Sequence, residues 1–71
     1  GPEGLEHALA VARDHADPRM RRVAAIVLPS LSAAHPARRE EVVRVLEQLA
    51  GSEADPMLVR AAQLAHQALA G

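Results

Sequence analysis

Asp55-Pro56-Met57-Leu58-Val59-Arg60-Ala61-Ala62-Gln63-Leu64-Ala65-His66-Gln67-Ala68-Leu69 is the stretch that decides the fold. Proline lacks an N–H and has φ preset near −65°, so it is tolerated in the first turn of a helix and costly inside one. An aspartate before it accepts from the free N–H groups of that turn and meets the positive end of the helix dipole. The stretch therefore predicts a helix from Pro56 to Ala70, with Leu58, Ala61, Ala62, Leu64, Ala65, Ala68 and Leu69 apolar and only Arg60, Gln63, His66 and Gln67 polar. Most of its circumference asks for cover.

The same punctuation recurs upstream. Asp17-Pro18 predicts a second strong helix start, His35-Pro36 a third with a weaker cap, and Pro2 a fourth at the chain's beginning. The first helix, expected over residues 3–16, carries Leu5, Ala8, Leu9, Ala12 and Ala16 on one stripe. The second starts at Pro18 with Met20, Val23, Ala24, Val27 and Leu31 on one side, widened by Ile26 and Leu28; Pro29 falls inside this pattern and should bend or end the helix. The third, over 36–50, turns Val42, Val43, Val45, Leu46, Leu49 and Ala50 inward, with Gly51 as its C-terminal cap and 52–54 as a loop.

Composition agrees with an all-α chain. Sixteen of the 71 residues are Ala, all eight basic residues are Arg, and Lys, Thr and Asn are missing, a set poor in strand formers. No cysteine is present, which removes disulfide scaffolds, thiolate metal sites and cysteine nucleophiles and leaves the redox compartment open. The absence of Phe, Tyr and Trp removes the platforms on which single-stranded nucleic acid stacks. A net charge of −1 gives no footprint for duplex DNA or an anionic membrane, and no apolar run approaches the ~18 residues of a membrane span. The chain opens Gly1-Pro2 without a Met, which reads as the scar of a removed tag ahead of a segment cut from something longer. The Ala, Arg and Val bias points to a GC-rich, bacterial coding source.

Sliding the chain on itself by 38 residues superposes Asp17 on Asp55, Pro18 on Pro56, Arg22 on Arg60, Ala24 on Ala62 and Leu31 on Leu69, with Met20 on Leu58 and Ile26 on Leu64 as apolar equivalents. A helical-hairpin repeat is the economical reading, with one copy over 3–34 and the next over 35–71 in a single domain. Asp55-Pro56, Val59-Arg60, Ala61-Ala62 and Leu69 resemble the second helix of the HEAT-like α-solenoid family, and Asp17-Pro18, Arg22, Ala24-Ala25 and Leu31 resemble a looser copy with Arg21 in place of valine. The resemblance implies two antiparallel hairpins, either as a HEAT-like pair or closed into a compact four-helix bundle, since two repeats fall short of the three or so a free-standing solenoid needs. It also implies that the second helices line the binding face, which makes Arg22, Arg60, Gln63 and Gln67 the candidate partner contacts.

Catalytic, cofactor and metal residues are not expected. His7, His15, His35 and His66 have no metal-ligand spacing, the acidic residues sit on outer faces or caps, and no glycine-rich phosphate cradle is present. Pro29-Ser30-Leu31 lacks the aspartate and the acidic following helix that phosphopantetheine carrier proteins place around their serine. Arg19, Arg21 and Arg22, and Arg38 and Arg39, form two groups where an anionic partner could dock. The expected function is thus a non-catalytic, cytoplasmic protein–protein interaction module from a larger intracellular protein, with no nucleic acid or membrane partner. The alternative is a self-associating docking or adaptor domain, favoured by the over-wide apolar faces of the second and fourth helices.

Overall fold

The computed structural model describes residues 1–70, with only the backbone at position 52. It contains four α-helices, α1 Glu3–Asp14, α2 Pro18–Ala33, α3 Arg39–Ser52 and α4 Pro56–Ala70, with a short 3-10 turn, Pro36–Arg38, leading into α3; the described residues hold no strand. The fold is all-α.

Both aspartate caps form. Asp17 Oδ1 accepts from the Arg19 N–H and Asp55 Oδ1 from the Met57 N–H, each at 2.9 Å, so the two second helices begin with the same geometry 38 residues apart. Glu3 and Glu6 sit in the first turn of α1, and Glu40 and Glu41 in that of α3, where negative charge complements the dipole. Helix α1 stops at Asp14, two residues before the expected end: His15 is extended and its Nδ1 accepts from the Asp17 N–H, while Asp17, the residue before Pro18, is itself extended as that position requires. Ala16 is accordingly exposed in the turn and not part of the buried stripe.

The second hairpin departs from expectation at both ends of α3. Pro36–Arg38 forms a 3-10 turn before the α-helix proper, and Gly51 is not the cap: it stays helical, as does Ser52, and no glycine has positive φ among the described residues. The helix ends at an extended Glu53, whose N–H reaches the Leu49 carbonyl. Pro29 does not end α2, which runs on to Ala33.

Helix α2 packs against α1 and α4, α3 packs against α4, and α1 and α3 touch, whereas α1 and α4 are not neighbours. The hairpins thus lie side by side, with α1 and α3 in one layer and α2 and α4 in the other, in a slab 14 Å thick. Two helical layers about 8–10 Å apart give that thickness. Leu5, Leu9, Leu28, Leu46, Leu58 and Val42 are fully enclosed, and alanines fill the space between them. Ala24, Ala25, Ala61, Ala62 and Ala65 let α2 and α4 approach closely.

The faces of α1 and α3 follow their sequence pattern, apart from the exposed Ala16 and the half-buried Val43 and Ala50; that of α2 does not. Its buried residues are Ala24, Ala25, Leu28 and Ser32, while Met20, Val23, Ile26 and Val27 are exposed. The expected stripe of Met20, Val23, Ala24, Val27 and Leu31 is therefore buried fully only at Ala24. The reason is positional: α2 stands between α1 and α4, so its most enclosed direction is the bisector of two contacts, rotated from the face turned towards α1. In α4, Leu64 and Ala68 are likewise exposed.

Candidate functional site

Six large apolar side chains are between 41% and 62% exposed, namely Met20, Val23, Ile26, Val27, Met57 and Leu64, and all six lie on α2 and α4. Exposed apolar residues scattered singly are ordinary on a soluble protein; here they gather in two grooves, Met20, Val23 and Val27 beside α1 and Ile26, Met57 and Leu64 beside one another between α2 and α4. The second of these is an open groove between α2 and α4. Ile26, Pro29 and Ser30 form one wall, Met57, Leu64 and Ala68 the other, and Ala61 and Ala65 the floor.

Two arginines stand at the groove. Arg22 is half-buried and donates from Nη1 to the Met57 sulfur at 3.3 Å, which places its guanidinium over the groove's end. Arg60, one turn along α4 from Met57, is exposed and lines the groove directly. Among the described residues neither is ion-paired with a carboxylate. A planar guanidinium with unused donors beside an apolar slot is suited to a carboxylate presented next to apolar side chains.

The four candidate contacts do not make one site. Gln63 and Gln67 are exposed on α4, but they line a different groove, between α3 and α4, with Glu47, Ala50, Gly51 and His66. There the His66 Nε2 lies 3.2 Å from Glu47 Oε2, and Ala50 and Gly51 supply apolar surface between the polar side chains.

The other arginines of the two sequence groups make contacts within the chain. Arg19 pairs with its own cap, Asp17, at 3.0 Å. Arg21 Nη2 meets Glu53 Oε2 at 3.0 Å and its Nη1 donates to the His15 and Ala16 carbonyls. Arg38 binds Glu6 of α1 and Glu41 of α3, and Arg39 donates to the Leu69 carbonyl at the end of α4. These pairs hold the elements together. The hydrogen bond from Arg38 holds the Glu6 carboxyl below its ordinary value of 4.5, and that from Arg19 holds Asp17 below 3.8.

No group of three or more His, Asp or Glu side chains among the described residues could hold a metal ion. Among the described residues no helix is long and apolar enough to cross a membrane. Compared with known protein families, curated proteins and solved structures, the chain matches none. Fold and surface therefore define it only as a small all-α domain of two packed helical hairpins.

Proposed function

We propose that this chain is a non-catalytic protein–protein interaction module whose α2–α4 groove captures a partner segment with apolar side chains and a neighbouring carboxylate. The observation that carries the reading is the groove itself, apolar along Ile26, Met57 and Leu64 and edged by Arg22 and Arg60, neither of which meets a carboxylate among the described residues. A helix or extended segment with apolar anchors fits such a slot, and the arginines fix its register. The HEAT-like reading belongs to the same proposal: helices of like kind lie side by side in two layers, the second helices share the exposed layer, and their caps coincide at a 38-residue spacing. On that reading the chain is part of a larger cytoplasmic protein and works without a cofactor.

Gln63 and Gln67 lie outside this groove, and Arg22 and Arg60 supply its polar contacts. The test is selection from a displayed library of random peptides of helical length on the immobilised domain. Enriched peptides should combine two or more large apolar residues with Asp or Glu, and should lose binding at least tenfold to R60E or to Leu64→Asp. Enrichment that survives both substitutions, or none at all, contradicts the proposal.

A further inference from the structure

The α2–α4 groove has a direction. Helices α2 and α4 run parallel: their starts meet where Arg21 pairs with Glu53 and Arg22 donates to Met57, and at the far end Arg39, just beyond α2, donates to the Leu69 carbonyl of α4. Arg22 and Arg60 are each the fifth residue of their helix, so both cations belong to the groove's N-terminal end. Towards the other end the lining is Pro29, Ser30, Leu64, Ala65 and Ala68, with no ionisable group. The groove is thus cationic at one end and neutral at the other. The carboxylates nearest in sequence are already engaged, Asp17 by Arg19 and Asp55 by the first N–H groups of α4. The walls also decide what backbone fits. They are helical, and apart from the carbonyl that Pro29 frees at Ala25 their mid-helix N–H and C=O groups are bonded within α2 and α4. An extended chain finds no ladder partners there, whereas a helix arrives with its own hydrogen bonds made.

Resting on the reading of this groove as a partner site, we propose that its occupant is an amphipathic helix of an unlike protein, lying antiparallel to α2 and α4, with its apolar anchors first and its carboxylates in the last turn. Charge sets the direction twice over. Side-chain carboxylates meet Arg22 and Arg60 only at the groove's N-terminal end, and the partner helix's last carbonyls, the negative end of its dipole, are favoured at the same end. From Arg60 to Ala68 the groove is about 12 Å long at 1.5 Å per residue, a little over two turns. It therefore holds apolar anchors spaced three and four apart, with the acids one turn beyond them. A second copy of this chain is poorly suited, because the exposed large apolar residues lie on α2 and α4 and neither helix contains an acid.

The probes are two end-capped peptides of about fourteen residues and one composition, alanine and glutamine carrying three leucines spaced three and four apart and two glutamates. One has its glutamates in the last turn; the other is its exact reverse. Each is titrated into the whole domain by calorimetry, with circular dichroism of the mixture against the sum of its parts. The acid-last peptide should bind at least tenfold tighter than its reverse and gain helix on binding, although acids in the first turn make the reverse the better free helix. R60E should abolish the preference, and Leu64→Asp should weaken both peptides at least tenfold. Equal binding, preference for the acid-first peptide, a preference that survives R60E, or binding without gain of helix overturns this inference; the groove reading stands if Leu64→Asp still weakens binding. If neither peptide binds while library-selected peptides sensitive to Leu64→Asp do, this inference alone falls. Binding undiminished in Leu64→Asp removes the groove reading and this inference with it. If R60E loses helicity, Arg60→Gln takes its place and must reduce the preference at least threefold; if it does not, the inference falls.

Discussion

Arg21 Nη2 lies 3.0 Å from Glu53 Oε2, joining residues 32 apart in sequence across the mouths of the two hairpin turns. The same guanidinium donates to the His15 and Ala16 carbonyls of the α1–α2 turn. One side chain thus ties the exit of α1, the start of α2 and the exit of α3. Both partners are largely covered, so the pair escapes the screening that makes surface ion pairs nearly worthless.

Removing one partner of such a pair leaves the other charge partly buried and unsatisfied. Arg21→Met should destabilise the domain by about 1–3 kcal/mol, and Glu53→Gln by less, because the amide still accepts from the guanidinium. A double-mutant cycle by urea unfolding checks the coupling; additive effects of the two substitutions would show that the pair contributes nothing of its own.

Leu28 and Ile26 are two residues apart on α2 and have opposite fates. Leu28 is fully enclosed, so Leu28→Ala should cost about 2–5 kcal/mol, enough to unfold much of a domain this small. Ile26 is 57% exposed, so Ile26→Ala should cost about 0.5 kcal/mol or less while weakening any peptide held in the α2–α4 groove. Equal destabilisation by thermal melting would mean that α2 is rotated from the orientation described.

Pro29 lies inside α2 and cannot donate to the Ala25 carbonyl. Pro29→Ala restores that donor and should raise stability by up to about 3 kcal/mol without changing helix content. A lower melting temperature would show that the ring's packing in the groove wall outweighs the lost hydrogen bond.

Acid should destabilise the fold in a defined window. Glu6 and Asp17 are both held below their ordinary values of 4.5 and 3.8, so their contribution is fully present above those values. It is lost as pH falls through the lowered folded-state values, because the unfolded chain then binds protons first. The melting temperature should be nearly level from neutral pH to about 5 and fall below it, and Glu6→Gln should show a shallower fall. Identical slopes for variant and wild type would remove Glu6 from the account.

The starts of α2 and α4 were legible because proline and aspartate act locally: Asp17 and Asp55 cap as their neighbours in sequence require. So were the buried stripes of α1 and α3, helices whose core face is narrow. The buried direction of α2 was not, since it depends on contacts with both α1 and α4 that no single stripe encodes. The arginines divide the same way. Arg22 and Arg60 stood out through the repeat register, whereas the internal roles of Arg21 and Arg38 arise only when distant turns and helix starts meet. Gly51 misled because a glycine near a helix end reads as a cap, while here the extended Glu53 ends the helix.

Chemical-shift mapping of the isotopically labelled domain, titrated with a peptide selected on it, tests the groove most directly. The account predicts that amide and methyl shifts concentrate at Ile26, Met57, Arg60, Leu64 and Ala68, and that R60E weakens the titration at least tenfold with the spectrum otherwise preserved. Shifts confined to the α3–α4 groove around Gln63 and Gln67, or binding indifferent to R60E, would contradict it.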